Sequence, residues 1–311
     1  VTANSTPITA GVHSYLIYGA ETTFKTAGTL DKNFGIVNNF SADVKNSLNE
    51  RRGFANTSAS GRRIRAFAPG ERSYDLSIDW DVTDFAFMEH VLGAVSGTTT
   101  KTYVDDDAVD SISIGNELDN VNVDRENWFT GCCYDSVTLK AAINEPLNCS
   151  AKLTAAHGSF DATLTSKIAA SAVGPYTFVG AVFELPNATA IVNIVESFDI
   201  SINNNYTYLR GSAREIAAAT KGALDITMKF STAYVDDSFY TKTLGSDGVS
   251  SVTAPTENAT VEITLTRGSS NVIILGTLAP IESYNLAQQL NSPVKEDITL
   301  KLQWISVAET V

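Results

Sequence analysis

The most regular pattern in the chain is alternation of apolar and polar side chains. In YDLSIDWDV (74–82), Tyr74, Leu76, Ile78, Trp80 and Val82 fall on one face, while Asp75, Ser77, Asp79 and Asp81 fall on the other. That spacing predicts a strand in a sheet covered on one side and wet on the other. VESFDISINNN (195–205) has the same period, with Phe198, Ile200 and Ile202 toward a core and Ser197, Asp199 and Ser201 toward water. Ser, Thr, Val, Ile and aromatic residues alternate through most of the chain, so the expected fold class is mainly β. Residues 83–92 are the exception. Phe85, Met88 and Leu92 recur at helical spacing behind a Thr83 or Asp84 cap and ahead of Gly93 at the C′ position, which predicts a short helix filling the core with His90 partly exposed on it.

The patterns recur about half a chain apart. VNNFSADVKNS (37–47) has the shape of VESFDISINNN, placing Val37 and Phe40 on Val195 and Phe198. YDLSIDW (74–80) lies over LDITMKF (224–230), aligning Ile78 with Met228. DFAFMEHVLG (84–93) lies over DDSFYTKTLG (236–245), and VTLKAAINEPL (137–147) over YNLAQQLNSPV (284–294). The blocks keep their order, and loop insertions account for the drift in spacing. The expectation is an internal duplication into residues 1–157 and 158–311, two tandem β-sandwich or β-barrel domains with one short helix each.

Composition narrows the function classes. The chain has 311 residues, 43% hydrophobic and 18% charged, and no apolar run approaches the roughly 18 residues that a membrane helix needs. VTANSTPITAG at the amino end has neither a basic nor an apolar region of a secretory leader. A net charge of −13 opposes tight binding to DNA or anionic lipid. The three cysteines, Cys132, Cys133 and Cys149, imply no disulfide framework, although a single Cys133–Cys149 bridge between neighbouring strands is conceivable. Seven Asn-x-Ser/Thr triplets occur, at Asn4, Asn39, Asn56, Asn148, Asn187, Asn205 and Asn258. An Asn- and Ser/Thr-rich chain generates most of these by chance, so they do not establish a glycoprotein.

Catalytic chemistry has little support. His13, His90 and His157 lie in no nucleophile, zincin or phosphate-loop arrangement, and Cys132, Cys133, Cys149 and His157 match no common zinc spacing. Asp105, Asp106, Asp107 and Asp110 lack the glycine and closing glutamate of a calcium loop and read as a solvated turn. No catalytic residue, cofactor or metal is expected. The segment 46–73 between the first strands instead holds Arg51, Arg52, Arg62, Arg63, Arg65 and Arg72, with Arg210 and Arg214 in the shorter second-half loop. A basic loop on an acidic body suits contact with another copy of the same chain.

Three segments in this order, GAETTFKT (19–26), GCCYDSVTLKAAINEPLNCSAKL (131–153) and VESFDISINNNYTYLRGSARE (195–215) followed by GALDITMKF, resemble the tail tube proteins of long-tailed bacterial and archaeal viruses. The resemblance implies a structural virion protein whose rings stack into a hollow tail tube for genome delivery, made in the host cytoplasm. It also implies tail terminator, baseplate or tape-measure partners, double-stranded DNA passing without specific binding, and no membrane. Two copies per chain would make the ring trimeric and pseudo-sixfold. Asp75, Asp79, Asp81, Asp199 and Asp225 are then the expected lumen residues, on wet acidic strand faces, and the arginine loops the expected contacts to the next ring. A non-viral surface or pilus-like β filament is the competing reading.

Overall fold

The computed structural model describes residues 14–51, 66–108, 110–118, 125–161, 168, 173–185, 190–191, 194–212, 214–244, 260–277, 279–290 and 292–310. In chain order the first half carries β1 (Ser14–Ala20), β2 (Lys32–Asn33), β3 (Ile36–Arg51), β4 (Ala66–Asp81), α1 (Met88–Leu92), β5 (Gly93–Ser96), β6 (Thr100–Asp105), β7 (Ile112–Leu118), β8 (Arg125–Ala142), β9 (Asn148–Ala155) and β10 (His157–Asp161). The second half carries β11 (Val182–Glu184), β12 (Ile194–Asn203), β13 (Thr207–Leu209), β14 (Ala218–Thr220), β15 (Asp225–Ala233), α2 (Ser238–Leu244), β16 (Thr260–Arg267), β17 (Ser270–Thr277), β18 (Ile281–Ala287), β19 (Lys295–Leu302) and β20 (Trp304–Thr310).

One long antiparallel sheet spans both halves in the order β3-β4-β9-β8-β12-β15-β19-β18. Behind its first four strands lies an outer sheet, β1-β7-β8-β10, and behind its last four lies another, β11-β16-β17-β20. The aromatic contacts Tyr74–Phe129 and Phe183–Phe230 join the layers in the two halves. Each half is therefore a β-sandwich, and no sheet closes into a barrel among the described residues. The first half also lends a hairpin to the second, since β5 and β6 extend its outer sheet by pairing β6 with β20.

The two four-strand sets agree in order and in register. Phe40 faces Ile78 as Phe198 faces Phe230, and Val137 faces Ala151 as Tyr284 faces Ile298. Irregularities fall at matching places too. The register shifts between Val37 and Asn39 and again between Val195 and Ser197, and between Tyr134 and Ser136 and again between Ile281 and Ser283. His157 opposite Thr130 corresponds to Trp304 opposite Thr277. The expected alignment of Ile78 with Met228 is out by one side-chain repeat, because the pairing sets Ile78 on Phe230. A slip of this kind preserves alternation and so leaves no trace in the apolar pattern. The expected domain boundary between residues 157 and 158 falls inside β10.

Strand β8 serves both layers. Its first part pairs with β7 and β10, its last part with β9 and β12, and the change of layer occurs at Gly131. Gly131 has φ +64, and a Cβ there would stand 2.7 Å from the Cβ of Ala156. The second half makes the same change of layer by breaking the strand into β17 and β18 around Pro280, which cannot donate to a ladder.

Helix α1 is shorter than its sequence period, because Asp84 accepts from Ala86 N in a turn (3.0 Å) and the helix begins at Met88. Gly93 ends it in the left-handed region, φ 115. Asp236 repeats that turn before α2, accepting from Ser238 N at 2.9 Å. His90 is buried at 3% exposure, not partly exposed, with its ring edge-on to Tyr18. Burial, helped by Lys32, lowers its pKa to about 4, so the imidazole is neutral near pH 7. The cysteines are free and buried, and the conceivable Cys133–Cys149 bridge does not form because Cys133 faces Thr154 while Cys149 faces Leu139.

Trp80, fully buried, packs edge-on to Phe34 and Phe87 at the centre of the first sandwich. Trp80→Ala is expected to cost about 3–5 kcal/mol in chemical denaturation, the usual range for emptying such a site.

Candidate functional site

The outward face of the long sheet is polar from one edge to the other. Across its middle, Asp79 faces Asn39 and Ser150, Ser150 faces Thr138, Thr138 faces Ser201, and Ser201 faces Thr227. All five expected lumen carboxylates lie on this face. Asp75 meets Lys45 Nζ at 3.1 Å, Asp79 accepts from Asn39 Nδ2 at 3.3 Å, and Asp81 accepts from Asn38 Nδ2 at 2.9 Å. Asp225 is paired with Lys301, and Asp199 stands between Lys140 and Lys229 on the flanking strands. With Lys152 opposite Ser77 and Lys295 opposite Ala233, lysines interleave the carboxylates throughout. The wall is thus mixed in charge, not acidic as the isolated strands suggest. Exposed pairs of this type contribute little stability, typically about 0–1 kcal/mol each, so their effect is on the surface potential.

At the two ends of the sheet, β3 pairs only with β4, and β18 only with β19, among the described residues. Both edges carry exposed apolar side chains, Val44 at 49% and Leu48 at 56% on β3, and Leu286 at 40% on β18. Pairing of β4 with β9 stops at Tyr74, so the outer parts of β3 and β4 continue as a two-stranded ribbon with Leu48 and Phe67 exposed.

The arginine positions divide. Arg52, Arg62, Arg63 and Arg65 lie outside the described residues, as does the side chain of Arg51, whose backbone ends β3. The other three are engaged within the chain. Arg72 donates to Asn46 Oδ1 (2.8 Å) and to Tyr74 Oη (3.2 Å), Arg210 to the carbonyl of Arg72 (2.5 Å), and Arg214 to the carbonyl of Gly70 (2.9 Å). The second-half loop that follows β12 is thereby strapped onto the first half.

Glu215 anchors that strap, accepting from Lys25 Nζ (3.0 Å), Tyr74 Oη (3.1 Å) and His157 Nδ1 (2.8 Å). Burial pushes its pKa up, but hydrogen bonds from Lys25, His157 and Tyr74 outweigh burial and hold it at about 2. Nearby, Glu21 accepts from Lys25 N (2.9 Å), Ser111 Oγ (2.6 Å), Ser113 Oγ (2.7 Å) and Gly131 N (2.8 Å). The segments 19–26, 131–153 and 195–215 therefore meet in space around Lys25. The acidic turn also has a partner from the other half. Lys221 Nζ donates to the carbonyls of Leu92 (2.7 Å) and Asp106 (2.6 Å), at the end of α1, and lies 4.0 Å from Asp105. Burial lowers the Lys221 pKa against the pull of these acids. Sequence periodicity signals neither Glu215 nor Lys221, because each acts over long stretches of chain, 190 residues to Lys25 and 129 to Leu92.

A sandwich with a polar sheet face, bare strand edges and no convergent catalytic groups among the described residues is the geometry of a building block. The sequence model of the family described as phage tail tube protein matches residues 11–305. The chain belongs to the phage tail tube protein family. It is a structural tail tube protein, a component of the virion tail that self-assembles into a tube, which decides against the surface or pilus-like filament. No curated protein matches the chain, and no helix among the described residues is long and apolar enough to cross a membrane.

Because the Glu215 pKa lies below its ordinary 4.5, its contribution to stability is complete above pH 4.5 and is lost as pH falls toward 2. Glu215→Gln is expected to lower the thermal midpoint at pH 7 and to flatten its fall between pH 4.5 and 2, with the two proteins converging at the acid end; calorimetry over that range measures it.

Proposed function

We propose that three copies of this chain close a ring of six matched sets, that rings stack into the tail tube, and that the polar sheet face lines the channel through which the genome is delivered. The observation that carries this reading is the agreement in order, register and irregularity between the two four-strand sets, which are joined edge to edge through β8 and β12. We take the chain to be a fused doublet of one ancestral tube unit, residues 1–157 and 158–311 with β10 shared at the boundary. A contact between unlike edges that repeats by rotation closes into a ring, and one that repeats along an axis makes a filament. Edge pairing also removes two open strand edges that would otherwise invite disordered aggregation.

The channel surface follows from the same arrangement. Asp75, Asp79, Asp81, Asp199 and Asp225 face the DNA together with the interleaved lysines. The phosphate backbone then meets a wall of nearly balanced charge, with no continuous basic track to hold it. The ribbon formed by the outer parts of β3 and β4 runs along the strand direction beyond the rest of the sheet and is the contact to the next ring. The chain between β3 and β4 includes Arg52, Arg62, Arg63 and Arg65. Tail terminator, baseplate and tape-measure proteins meet the tube at its ends and in its bore.

Microscopy of the assembled protein is expected to show a hollow tube with annular striations, threefold with near-sixfold density, and the five carboxylates on the inner wall. A map with them on the outer wall overturns the assignment. In a second measurement, the triple variant Asp75→Asn, Asp79→Asn, Asp199→Asn leaves the lysines in excess. Its tubes are expected to retain double-stranded DNA at low salt and release it as salt rises, whereas unmodified tubes retain none.

A further inference from the structure

The junction inside the chain gives a template for the junction between chains. Along it, Val137 faces Ile202, Leu139 faces Ile200 and Ala141 faces Phe198. Val137, Leu139, Ile200 and Ile202 are fully buried. The matched registers make Tyr284, Leu286 and Gln288 the counterparts of Val137, Leu139 and Ala141, and Val44, Ala42 and Phe40 the counterparts of Ile202, Ile200 and Phe198. Except for Gln288, these counterparts are apolar or aromatic, and Val44 and Leu286 are exposed at the free edges.

A buried polar contact completes the template. Asn204, at 2% exposure, reaches from the second half into the first and donates from Nδ2 to the carbonyls of Val91 (3.0 Å) and Tyr134 (2.9 Å). It thereby ties the end of β12 to helix α1 and to the irregularity in β8. Its counterpart is also an asparagine, Asn46, which is exposed on the free edge. The Oδ1 of Asn46 accepts from Arg72 Nε (2.8 Å) and Arg214 (3.3 Å), an arrangement that orients the amide and leaves Nδ2 available to donate. The counterparts of Val91 and Tyr134 are Thr243 on α2 and Ile281 at the irregularity in β18.

We propose that β18 of one chain pairs antiparallel with β3 of a second copy in one defined register, Tyr284 to Val44, Leu286 to Ala42 and Gln288 to Phe40, and that Asn46 donates across this seam to the carbonyls of Thr243 and Ile281. The inference rests on the ring reading above and adds to it which residues meet. The seam buries Val44 and Leu286 and gives both strands a second hydrogen-bonded neighbour. The arginines that hold Asn46 make the seam depend on the strap, so the second half of a chain helps to prepare the edge of its first half.

Paired cysteines test the register. Directly opposed pairs in an antiparallel ladder alternate between a wider, hydrogen-bonded and a closer, non-hydrogen-bonded kind. The adjacent double variants Ala42→Cys/Leu286→Cys and Asp43→Cys/Asn285→Cys therefore include one of each. Oxidation of assembled particles is expected to link chains into covalent trimers through at least one of these pairs, and not through the shifted control Val44→Cys/Leu286→Cys. Particles that link only through the control, or through no pair, overturn the register. If the unmodified chain forms neither rings nor tubes by sedimentation and microscopy, the ring reading itself fails, and this inference with it. Asn46→Asp keeps the acceptor for both arginines and removes the donor. It is expected to raise the concentration needed for assembly about tenfold or more while the unassembled chain melts as before, and an unchanged assembly concentration overturns the role of Asn46.

Discussion

Residues Ser136–Lys140 of β8 are paired on both sides, with β9 and with β12, and the rest of the architecture depends on that double pairing. A strand in the interior of a sheet has no open edge, so the two halves of the chain share one ladder and one continuous outward face. The cost of exposed backbone is moved to the two ends of the long sheet, β3 and β18. Both ends belong to the same chain and match the two sides of the internal junction, so the two edges that the proposed seam joins are made together.

Polar contacts hold the halves in that relation. Asn204 and Lys221 both bond to carbonyls at the end of α1, and Glu215 gathers Lys25, Tyr74 and His157 from separate elements of the first half. Lys221 and Glu215 make charge-assisted hydrogen bonds, which are among the stronger kinds in proteins, and Asn204 satisfies the Val91 carbonyl near the end of the short helix. The strap also engages Arg72, Arg210 and Arg214 in hydrogen bonds within the chain.

What the sequence made legible follows from the range of the forces involved. Alternation identified the strands at 74–82 and 195–205, and Gly93 marked the end of α1, because each is a local property of a few residues. The recurrence of four blocks in order pointed to matched halves. The exact pairing was hidden, since moving Ile78 from Met228 to Phe230 changes no face. The acidic wall was misjudged for a related reason. Asp199 on its own strand looks uncompensated, and only cross-strand register sets Lys140 and Lys229 beside it. His90 was expected to be partly exposed, but in a helix of five residues only Glu89 escapes burial.

The two halves are matched but not identical, and the difference is concentrated where β3 and β4, each of 16 residues, have β12 and β15, of 10 and 9, as counterparts. In an assembly of single-unit chains, any change to such a ribbon is repeated at every position, and a change that suits one contact must be tolerated at all the others. A chain that carries two versions is free of that restriction. In the proposed ring, the long ribbon can evolve as a specialised limb while the shorter loop stays committed to internal bracing, and each substitution recurs only at alternate positions. On the proposed doublet, division of labour between the two units is thus available to this protein without any second gene product.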